Sequence, residues 1–355
     1  YPDPMEVVEK YGSDALRIAL LTSPVVGGLD AKFLEAGVRD AVRRFCIPLW
    51  NSLHYFTAYA SIDGWQPDPA YRFTQPTELD RYLLSETDGL RARVEQALDA
   101  YDFVAAYEHI EAFIAMLSTW YIRLSKERLW RSGIDDDKRC AYETLHHALS
   151  ALARIAAPFM PFLAETMWSA LGGTDSVHLA SWPAPNGFGD TALSAQMAGL
   201  RDVVRIARSI REEHKLKHRH PLRSVSIAGI AADAIRANLE LLLDELNVKS
   251  VEAIDHPEEM IQRVVKLDYG RLGKRLRGDV KKVQAAIDAG DYRLDGGSLA
   301  VAGHVLDADD FTFRFAAREA GKGVAAESSL VVVLDLTSDP ALVAEGQMRD
   351  LNRGV

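Results

Sequence analysis

The chain has 355 residues, a length that predicts about two domains with ordinary hydrophobic cores. Its composition of 48% hydrophobic and 26% charged residues is typical of a globular protein and argues against a disordered tail, and no apolar run is long enough to predict a membrane span. The formal net charge of -10 argues against a protein that coats nucleic acid through bulk positive charge, although it leaves room for local basic patches.

The cysteine content points to a reducing compartment. Cys46 and Cys140 are far apart and have no partner at metal-ligand spacing, so we expect neither a disulfide framework nor a zinc site. A cytoplasmic location fits this usage best. Because the chain begins with YPDP and has no initiator Met, we expect it to be a piece of a longer protein.

The first half of the chain predicts helices. A cap at Asp3 and a stop at Gly12 predict one short helix, and a second one follows to Leu21. Apolar residues at three- and four-residue steps predict a long helix over residues 42–60, in which Pro48 should introduce a kink. Residues 63–76 contain several prolines and predict a loop, after which helical periodicity resumes up to about residue 171.

The second half of the chain has a different pattern. Gly, Pro, Ser and Asn are frequent over residues 172–189 and indicate a boundary near residue 190. A helix is predicted over residues 192–214, with further helices at 234–246 and 280–289. Runs suited to strands occur at residues 225–227, 251–254, 299–302, 311–315 and 330–334. We therefore predict a mainly α protein with three parts: a short helical segment (residues 1–28), a helical bundle (residues 29–190) and a smaller α+β domain (residues 191–355).

The sequence contains none of the common phosphate-binding, zinc-protease or nucleophile-elbow motifs, so we predict no catalytic residue and no metal ligand. His146 and His147 lie near Glu143 and invite an acid–base or metal interpretation. Neighbouring helical positions point about 100° apart, however, so the two imidazoles do not share one face. Histidines of the surface or the core are the favoured interpretation.

The helix that ends near residue 131 carries two different faces when positions are counted at about 100° per residue. The residues expected on the core side are Leu117, Tyr121, Leu124 and Arg128. The opposite face and its edges are expected to hold Trp120, Arg123, Lys126, Glu127, Trp130 and Arg131. Unpaired RNA bases stack on aromatic or guanidinium planes while cations hold phosphates, so this face has the residue types of an RNA-binding surface. From residue types alone, a second packing surface within a bundle is the stronger interpretation.

Two basic stretches lie late in the chain. Residues 201–223 contain eight Lys or Arg against three acids, and residues 263–282 contain eight against two. The candidates for phosphate contacts are Arg208, Arg211, Lys215, Lys217, Arg219, Lys274, Arg275 and Arg277. A solvated helix end whose cations complement the helix dipole explains the first stretch equally well.

Several phrases, spread over nearly the whole chain, resemble the class I aminoacyl-tRNA synthetases that charge large aliphatic amino acids. Residues 1–17 resemble the segment after the family's Lys-Met-Ser-Lys-Ser catalytic loop, and that loop itself is absent. Four later phrases resemble parts of the family's helical anticodon-binding domain: IPLWN (47–51), WYIR (120–123), APFMPF (157–162) and SVHL (176–179).

Three further phrases resemble the isoleucyl enzymes that have a zinc-free C-terminal extension: LKHRHPL (216–222), ELNVK (245–249) and LGKR (272–275). His218 and His220 stand where the family phrase usually has Val and Gln. A valyl enzyme is the alternative within the family, but it would be expected to end in a helical coiled coil, and the alternating pattern of residues 311–315 argues against that.

The resemblance implies a full-length enzyme that uses ATP and Mg²⁺ to attach isoleucine to its tRNA and that edits misactivated valine. The catalytic and editing domains would precede this chain, so we expect the chain to need no cofactor and to be inactive alone. The implied partners are isoleucine tRNA and those missing domains, in a monomer that spans no membrane. The resemblance places Asn51, Trp120, Arg123 and Trp130 near the anticodon and the basic stretches on phosphates. The alternatives are a free-standing helical protein-interaction module and a self-contained enzyme, for which the sequence shows no constellation.

Overall fold

The computed structural model describes residues 3–30, 32–327, 329–337 and 339–352, without the side chains of Lys274 and Asn352. The chain falls into two units, Tyr1–Ser194 and Ala195–Val355. Among the described residues, none of the helices combines the length and apolarity needed to span a bilayer.

The first unit is built from α-helices. Their bounds are α1 Pro4–Tyr11, α2 Ser13–Leu21, α3 Glu35–Ala41, α4 Ile47–Asp63, α5 Glu78–Asp99, α6 Phe103–Met116, α7 Ile122–Leu124, α8 Lys126–Trp130, α9 Asp136–Ala156 and α10 Pro161–Ala170. The two short helices at the start are confirmed: the Asp3 carboxylate accepts a hydrogen bond from the Met5 amide, and Gly12 ends α1 at a φ of 87°. The core lies where α5 packs against α6 and α9 through fully buried leucines, isoleucines and valines.

Two π-helical turns interrupt the long helices. Val42–Cys46 joins α3 to α4, and Leu117–Tyr121 joins α6 to α7. In a π-helical turn each carbonyl bonds the amide five residues later, which adds one residue to the turn and rotates the side chains that follow. The first of these turns ends two residues before Pro48, which has no N–H to donate to the carbonyl of Arg44 in an α-helical hydrogen bond.

The second unit contains three small sheets. The strands are β1 Leu222–Ala228, β2 Val248–Ala253, β3 Ile261–Leu267, β4 Tyr292–Asp295, β5 Ser298–Val301, β6 His304–Leu306, β7 Phe311–Ala317, β8 Lys322–Glu327 and β9 Leu330–Asp335. The first sheet has the order β2-β1-β9-β8, with β1 and β2 parallel and its other pairs antiparallel. The pair β3–β7 and the meander β4-β5-β6 form the other two sheets.

Helices accompany these sheets: α11 Thr191–Glu213, α12 Ala232–Ala237, α13 Leu239–Leu246, α14 Tyr269–Leu276, α15 Val280–Asp288 and α16 Pro340–Asn352. The fold class expected from the sequence, a helical domain followed by an α+β domain, is confirmed. The five predicted strands overlap β1, β2, β5, β7 and β9, whereas β3, β4, β6, β8, α14 and α16 were not predicted. The predicted helix over residues 234–246 is interrupted at Asn238.

Candidate nucleic-acid interface

The short helix α8 is held against the bundle by a buried ion pair. Asp80, fully buried in the first turn of α5, accepts hydrogen bonds from both terminal nitrogens of Arg128 at 3.0 and 2.8 Å. Tyr121 and Thr77 also donate to this carboxylate. Burial acts to raise the pKa of Asp80, but the hydrogen bonds and charge of Arg128 outweigh it, so the pKa lies below its ordinary value. Arg128, which the sequence placed on the core side, therefore fixes one point of α8.

A buried lysine fixes the other end of α8. The Lys138 ammonium lies 2.6 Å from the Asp63 carboxylate at the end of α4 and donates to the Arg131 carbonyl, just beyond α8, also at 2.6 Å. Burial acts to raise the pKa of Asp63, whereas the hydrogen bonds from Lys138 and Tyr142 lower it by more. Because these contacts tie α4, α8 and α9 together, the outward face of α8 has a defined position.

Trp130 and Lys126 form this outward face. The Trp130 side chain is 55% exposed, and the Lys126 ammonium lies 5.7 Å from the centroid of its ring. Beside it on α4 lie Tyr55 and Tyr59, whose ring centroids are 4.8 Å apart. The Tyr55 hydroxyl is directed towards Trp130 but meets ordinary hydrogen-bond geometry with none of the described residues. Burial raises the pKa of this hydroxyl to about 12.

The exposed Asn51 side chain lies one helical turn before Tyr55 on α4, at the spacing that makes side chains neighbours. The structure thus brings Trp130 and Lys126 together with a polar and aromatic stripe on α4. We call Asn51, Tyr55, Tyr59, Lys126 and Trp130 the α4–α8 surface. The two tyrosines were not identified from the sequence, although both follow Asn51 at the four-residue spacing of one helix face.

The expectation that Trp120 shares the exposed face is wrong. Its side chain is 3% exposed, and its indole N–H has no partner among the described residues. The reason is the π-helical turn at Leu117–Tyr121, because counting about 100° per residue fails where a turn contains an additional residue. Trp120, Tyr121 and Ile122 are consecutively buried as a result, and Trp120 packs inside the bundle.

Arg123 and Arg131 lie on either side of α8 in the sequence. The Arg123 side chain is half-buried and donates to the Thr119 carbonyl one turn earlier. The Arg131 guanidinium is about half exposed and forms ion pairs with Asp135 and Asp137. Both cations therefore have protein partners in this structure.

In the second unit, the prediction that Arg211 is available to phosphates is wrong. Its side chain is 3% exposed and donates to the carbonyls of His220, Leu246 and Asn247 at 2.9, 2.8 and 3.2 Å. Burial lowers the pKa of Arg211 to about 10. The guanidinium thus connects the turn after α11 to the end of α13 through hydrogen bonds. Sequence spacing does not reveal this structural role.

The other cations of the first basic stretch are at least partly exposed. Arg208 lies 3.0 Å from the Glu245 carboxylate, Lys217 lies 3.1 Å from Asp350, and Arg219 contacts the same aspartate. Lys215 is exposed in a left-handed conformation with a φ of 56°.

The second basic stretch is partly described. Arg275 contacts Asp310 at 2.5 Å and lies 3.5 Å from Asp307, while Arg277 is exposed. The side chain of Lys274 lies outside the described residues.

His146 and His147 pack among aromatic rings. His146 lies 5.6 Å from the Trp65 ring and shares a hydrogen bond with the Leu171 carbonyl, and His147 lies 6.2 Å from Phe73. Burial lowers the pKa of both imidazoles, so they are uncharged near neutral pH.

The comparison with known families addresses the region that contains α8. Residues 80–227 match the family described as the anticodon-binding domain of tRNA ligase. This region is therefore an anticodon-binding domain of the tRNA ligase class.

The similarity to known proteins extends over the whole chain. The chain is 42% identical to isoleucine–tRNA ligase 2 of Pseudomonas fluorescens over 99% of its length and 34% of that protein. It is 36% identical to isoleucine–tRNA ligase of Treponema pallidum (100% and 35%) and 35% identical to that of Mycobacterium bovis (99% and 33%). The chain belongs to the isoleucine–tRNA ligase family, as the sequence phrases indicated, and it spans about a third of the length of these curated relatives.

Proposed function

We propose that this chain is the tRNA-recognition part of an isoleucine–tRNA ligase and that its α4–α8 surface contacts the anticodon arm of isoleucine tRNA. The observation that carries this proposal is the exposed Trp130 with the Lys126 ammonium over its ring, on a helix that two buried ion pairs hold in place. This helix lies within the region that matches the anticodon-binding domain.

The chemistry of the surface suits an opened RNA loop. Single-stranded bases are recognised by stacking on aromatic side chains, and Trp130 offers a ring for this contact. Lys126 forms no ion pair with the described residues and is available to a phosphate. Asn51 carries both a donor and an acceptor for the edge of a base. Trp120 has no part in this contact, because it packs inside the bundle.

Phosphates of the same tRNA would contact the remaining cations. Arg123 and Arg131 flank the α4–α8 surface. In the second unit, the cations that the sequence proposed for phosphates and that are exposed or half-exposed are Arg208, Lys215, Lys217, Arg219, Arg275 and Arg277. Most of these cations form ion pairs with carboxylates of the same unit. Where both partners are exposed, such a pair contributes at most about 1 kcal/mol, so a phosphate can replace the carboxylate at little cost. Glu245 and Asp310, the partners of Arg208 and Arg275, are buried, so these two arginines would have to keep their carboxylates while they contact a phosphate.

In the full-length enzyme, this recognition serves the attachment of isoleucine to tRNA in the cytoplasm. ATP and Mg²⁺ would be bound by the catalytic domain, and the chain described here would contribute no catalytic residue. We propose that the enzyme acts as a monomer, with isoleucine tRNA as its RNA partner.

Fluorescence anisotropy with a labelled isoleucine tRNA transcript tests this proposal on the 355-residue chain. Loss of one stacked base costs about 1 to 3 kcal/mol, so Trp130→Ala should weaken binding by roughly five- to 150-fold. Phe162→Ala, which removes a 66% exposed aromatic ring from α10, is the matched control and should bind as the unchanged chain does.

Equal affinity for isoleucine tRNA and an unrelated tRNA would contradict specific recognition. An unchanged affinity of Trp130→Ala would remove the α4–α8 surface from the interface. If Trp130→Ala instead lowers the melting temperature of the chain, Trp130 is a packing residue.

A further inference from the structure

The two-stranded sheet β3–β7 exposes an aromatic and cationic face at one end. In its register Arg263 pairs with Phe315 and Val265 pairs with Phe313. Paired residues of an antiparallel ladder point to the same face, so these four side chains share one side of the sheet.

This face changes from core to surface along the strands. Leu267 and Phe311, which pair at one end, are buried with the core beneath α14 and α15. Two residues further along β7, Phe313 is 38% exposed, and Phe315 after it is 44% exposed. Phenylalanines that point in the direction of a core are ordinarily covered, so the open end of this face is a candidate for a contact with another molecule.

Arg263 is stacked on one of these rings. Its guanidinium carbon lies 3.4 Å from the centroid of Phe313. No carboxylate partner is found for it in the part of the chain that the structure describes. A guanidinium plane that lies on an aromatic ring leaves its second face open to another planar group, such as a nucleic acid base.

The charge of the two strands complements a polyanion. Together β3 and β7 carry Arg263, Lys266 and Arg314 and contain no acidic residue, although the formal net charge of the chain is -10. Lys266 and Arg314 lie at positions of the opposite face in this register. Of the three cations, Arg263 is the one on the face of the phenylalanines. A protein partner would cover the rings without requiring this cation, whereas an RNA strand uses both rings and cations.

A cleft of about 430 Å³ lies beside β7. It is lined by Phe313 and Phe315, by Arg314 between them, and by residues of β8. Glu213 and Glu327 also line this cleft; Glu213 lies 3.9 Å from Arg314, and Glu327 forms an ion pair with Arg205. The cleft is within the size range of pockets that hold small ligands.

We propose that the end of the β3–β7 face is a second RNA-binding surface, on which unpaired bases stack against Phe315 and against the Arg263–Phe313 pair. Arg314, in the adjacent cleft, contacts the phosphate backbone of the same strand. The proposal rests on the proposed function, because the RNA is the same tRNA, and it adds base stacking to the phosphate contacts proposed for the second unit.

Photo-crosslinking of the 355-residue chain locates this contact. An isoleucine tRNA transcript in which 5-iodouridine replaces uridine is irradiated with the chain, and the crosslinked peptides are identified by mass spectrometry. We expect crosslinks at Phe313 or Phe315 in addition to those at the α4–α8 surface.

Affinity measurements with the same transcript give the magnitude. Phe313→Leu with Phe315→Leu keeps apolar side chains but removes both rings, and we expect at least about fivefold weaker binding from the lost stacking. Arg263→Gln should weaken binding as well and leaves both phenylalanines in place. The matched controls are Leu294→Ala and Arg293→Ala on β4, which remove an exposed apolar and an exposed cationic side chain of the same unit.

The outcomes separate the two proposals. Crosslinks at Trp130 alone, with unchanged affinity of the β3–β7 variants, overturn the second surface and leave the proposed function standing. If the chain binds no tRNA, the proposed function fails, and a labelled oligouridine of twelve nucleotides then tests the β3–β7 face by itself. Equal affinity of the unchanged chain and Phe313→Leu/Phe315→Leu for that oligouridine overturns the inference.

Discussion

Asp80→Asn removes the charge that holds α8 and keeps the shape of the side chain. The carboxylate of Asp80 is fully buried and accepts hydrogen bonds from Arg128, Tyr121 and Thr77. An asparagine accepts through one oxygen only, and its amide donors then face the donors of Arg128 and Thr77. The Arg128 guanidinium keeps one carboxylate partner, Asp137, at 2.8 Å.

The structure sets the size of the expected loss. Removing one partner of a buried ion pair costs about 3 to 5 kcal/mol, because the other charge is left uncompensated. Since Arg128 retains Asp137, which is 39% exposed, we expect the lower end, about 3 kcal/mol. With a urea dependence of about 2 kcal/mol per molar, the unfolding midpoint should fall by about 1.5 M.

Tryptophan fluorescence measures this loss in the first unit alone, because all six tryptophans lie between Trp50 and Trp182. Asp40→Asn is the matched control, since Asp40 lies 3.8 Å from Arg43 in an exposed ion pair that contributes at most about 1 kcal/mol. A midpoint for Asp80→Asn within about 0.3 M of the unchanged chain, roughly half a kcal/mol, would refute the anchoring role of this ion pair.

The pH dependence of the same measurement provides a second check. Folding holds the pKa of Asp80 below its ordinary value, so its contribution is fully present above about pH 4 and is lost as the pH falls through the lowered pKa. The difference in unfolding free energy between the unchanged chain and Asp80→Asn should therefore be constant near neutral pH and shrink in acid. A difference that grows as the pH falls would contradict the assigned direction.

Three further outcomes are expected. Arg211→Met should destabilise the second unit by about 3 kcal/mol, because three carbonyls lose their donor; unchanged amide exchange around residues 217–222 and 246–247 would contradict this. Gly229→Ala should lower the free energy of unfolding of that unit by at least about 2 kcal/mol, because a Cβ there would lie 2.1 Å from the Ser329 carbonyl oxygen. Gly278→Ala, which has open space around it, is the control. Equal calorimetric transitions for the two variants would refute the steric argument. Burial raises the pKa of the Cys46 thiol to about 11. Iodoacetamide at about pH 7.5 should therefore alkylate this thiol much more slowly in the folded chain than in the urea-unfolded chain. Equal rates would show that the thiol is accessible to solvent in the folded chain.

The sequence predicted the fold class because apolar periodicity reports which side of a helix faces a core. Its errors have local causes. The exposed position of Trp120 was inferred from a constant rotation per residue, which the π-helical turn at Leu117–Tyr121 breaks. The strands β3 and β4 were missed because cations and acids interrupt their alternation, and β8 because its small residues give little apolar contrast.

The candidate site was predicted in part. Trp130 and Lys126 do lie together on an open face, as their spacing indicated. Tyr55 and Tyr59 join them only because buried Lys138 ties α4 to the end of α8, and contacts between distant segments leave no signal in local spacing. Arg211 was wrongly assigned to phosphate binding, whereas it donates to backbone carbonyls inside the second unit. The sequence of a basic run does not show which of these two partners an arginine contacts.

An RNA footprint tests the central claim most directly. Isoleucine tRNA is cleaved chemically in the presence of the 355-residue chain, of Trp130→Ala and of Phe162→Ala. We expect the unchanged chain and Phe162→Ala to protect the anticodon loop and Trp130→Ala to lose that protection. An anticodon loop that is cleaved equally with and without the chain would contradict the account.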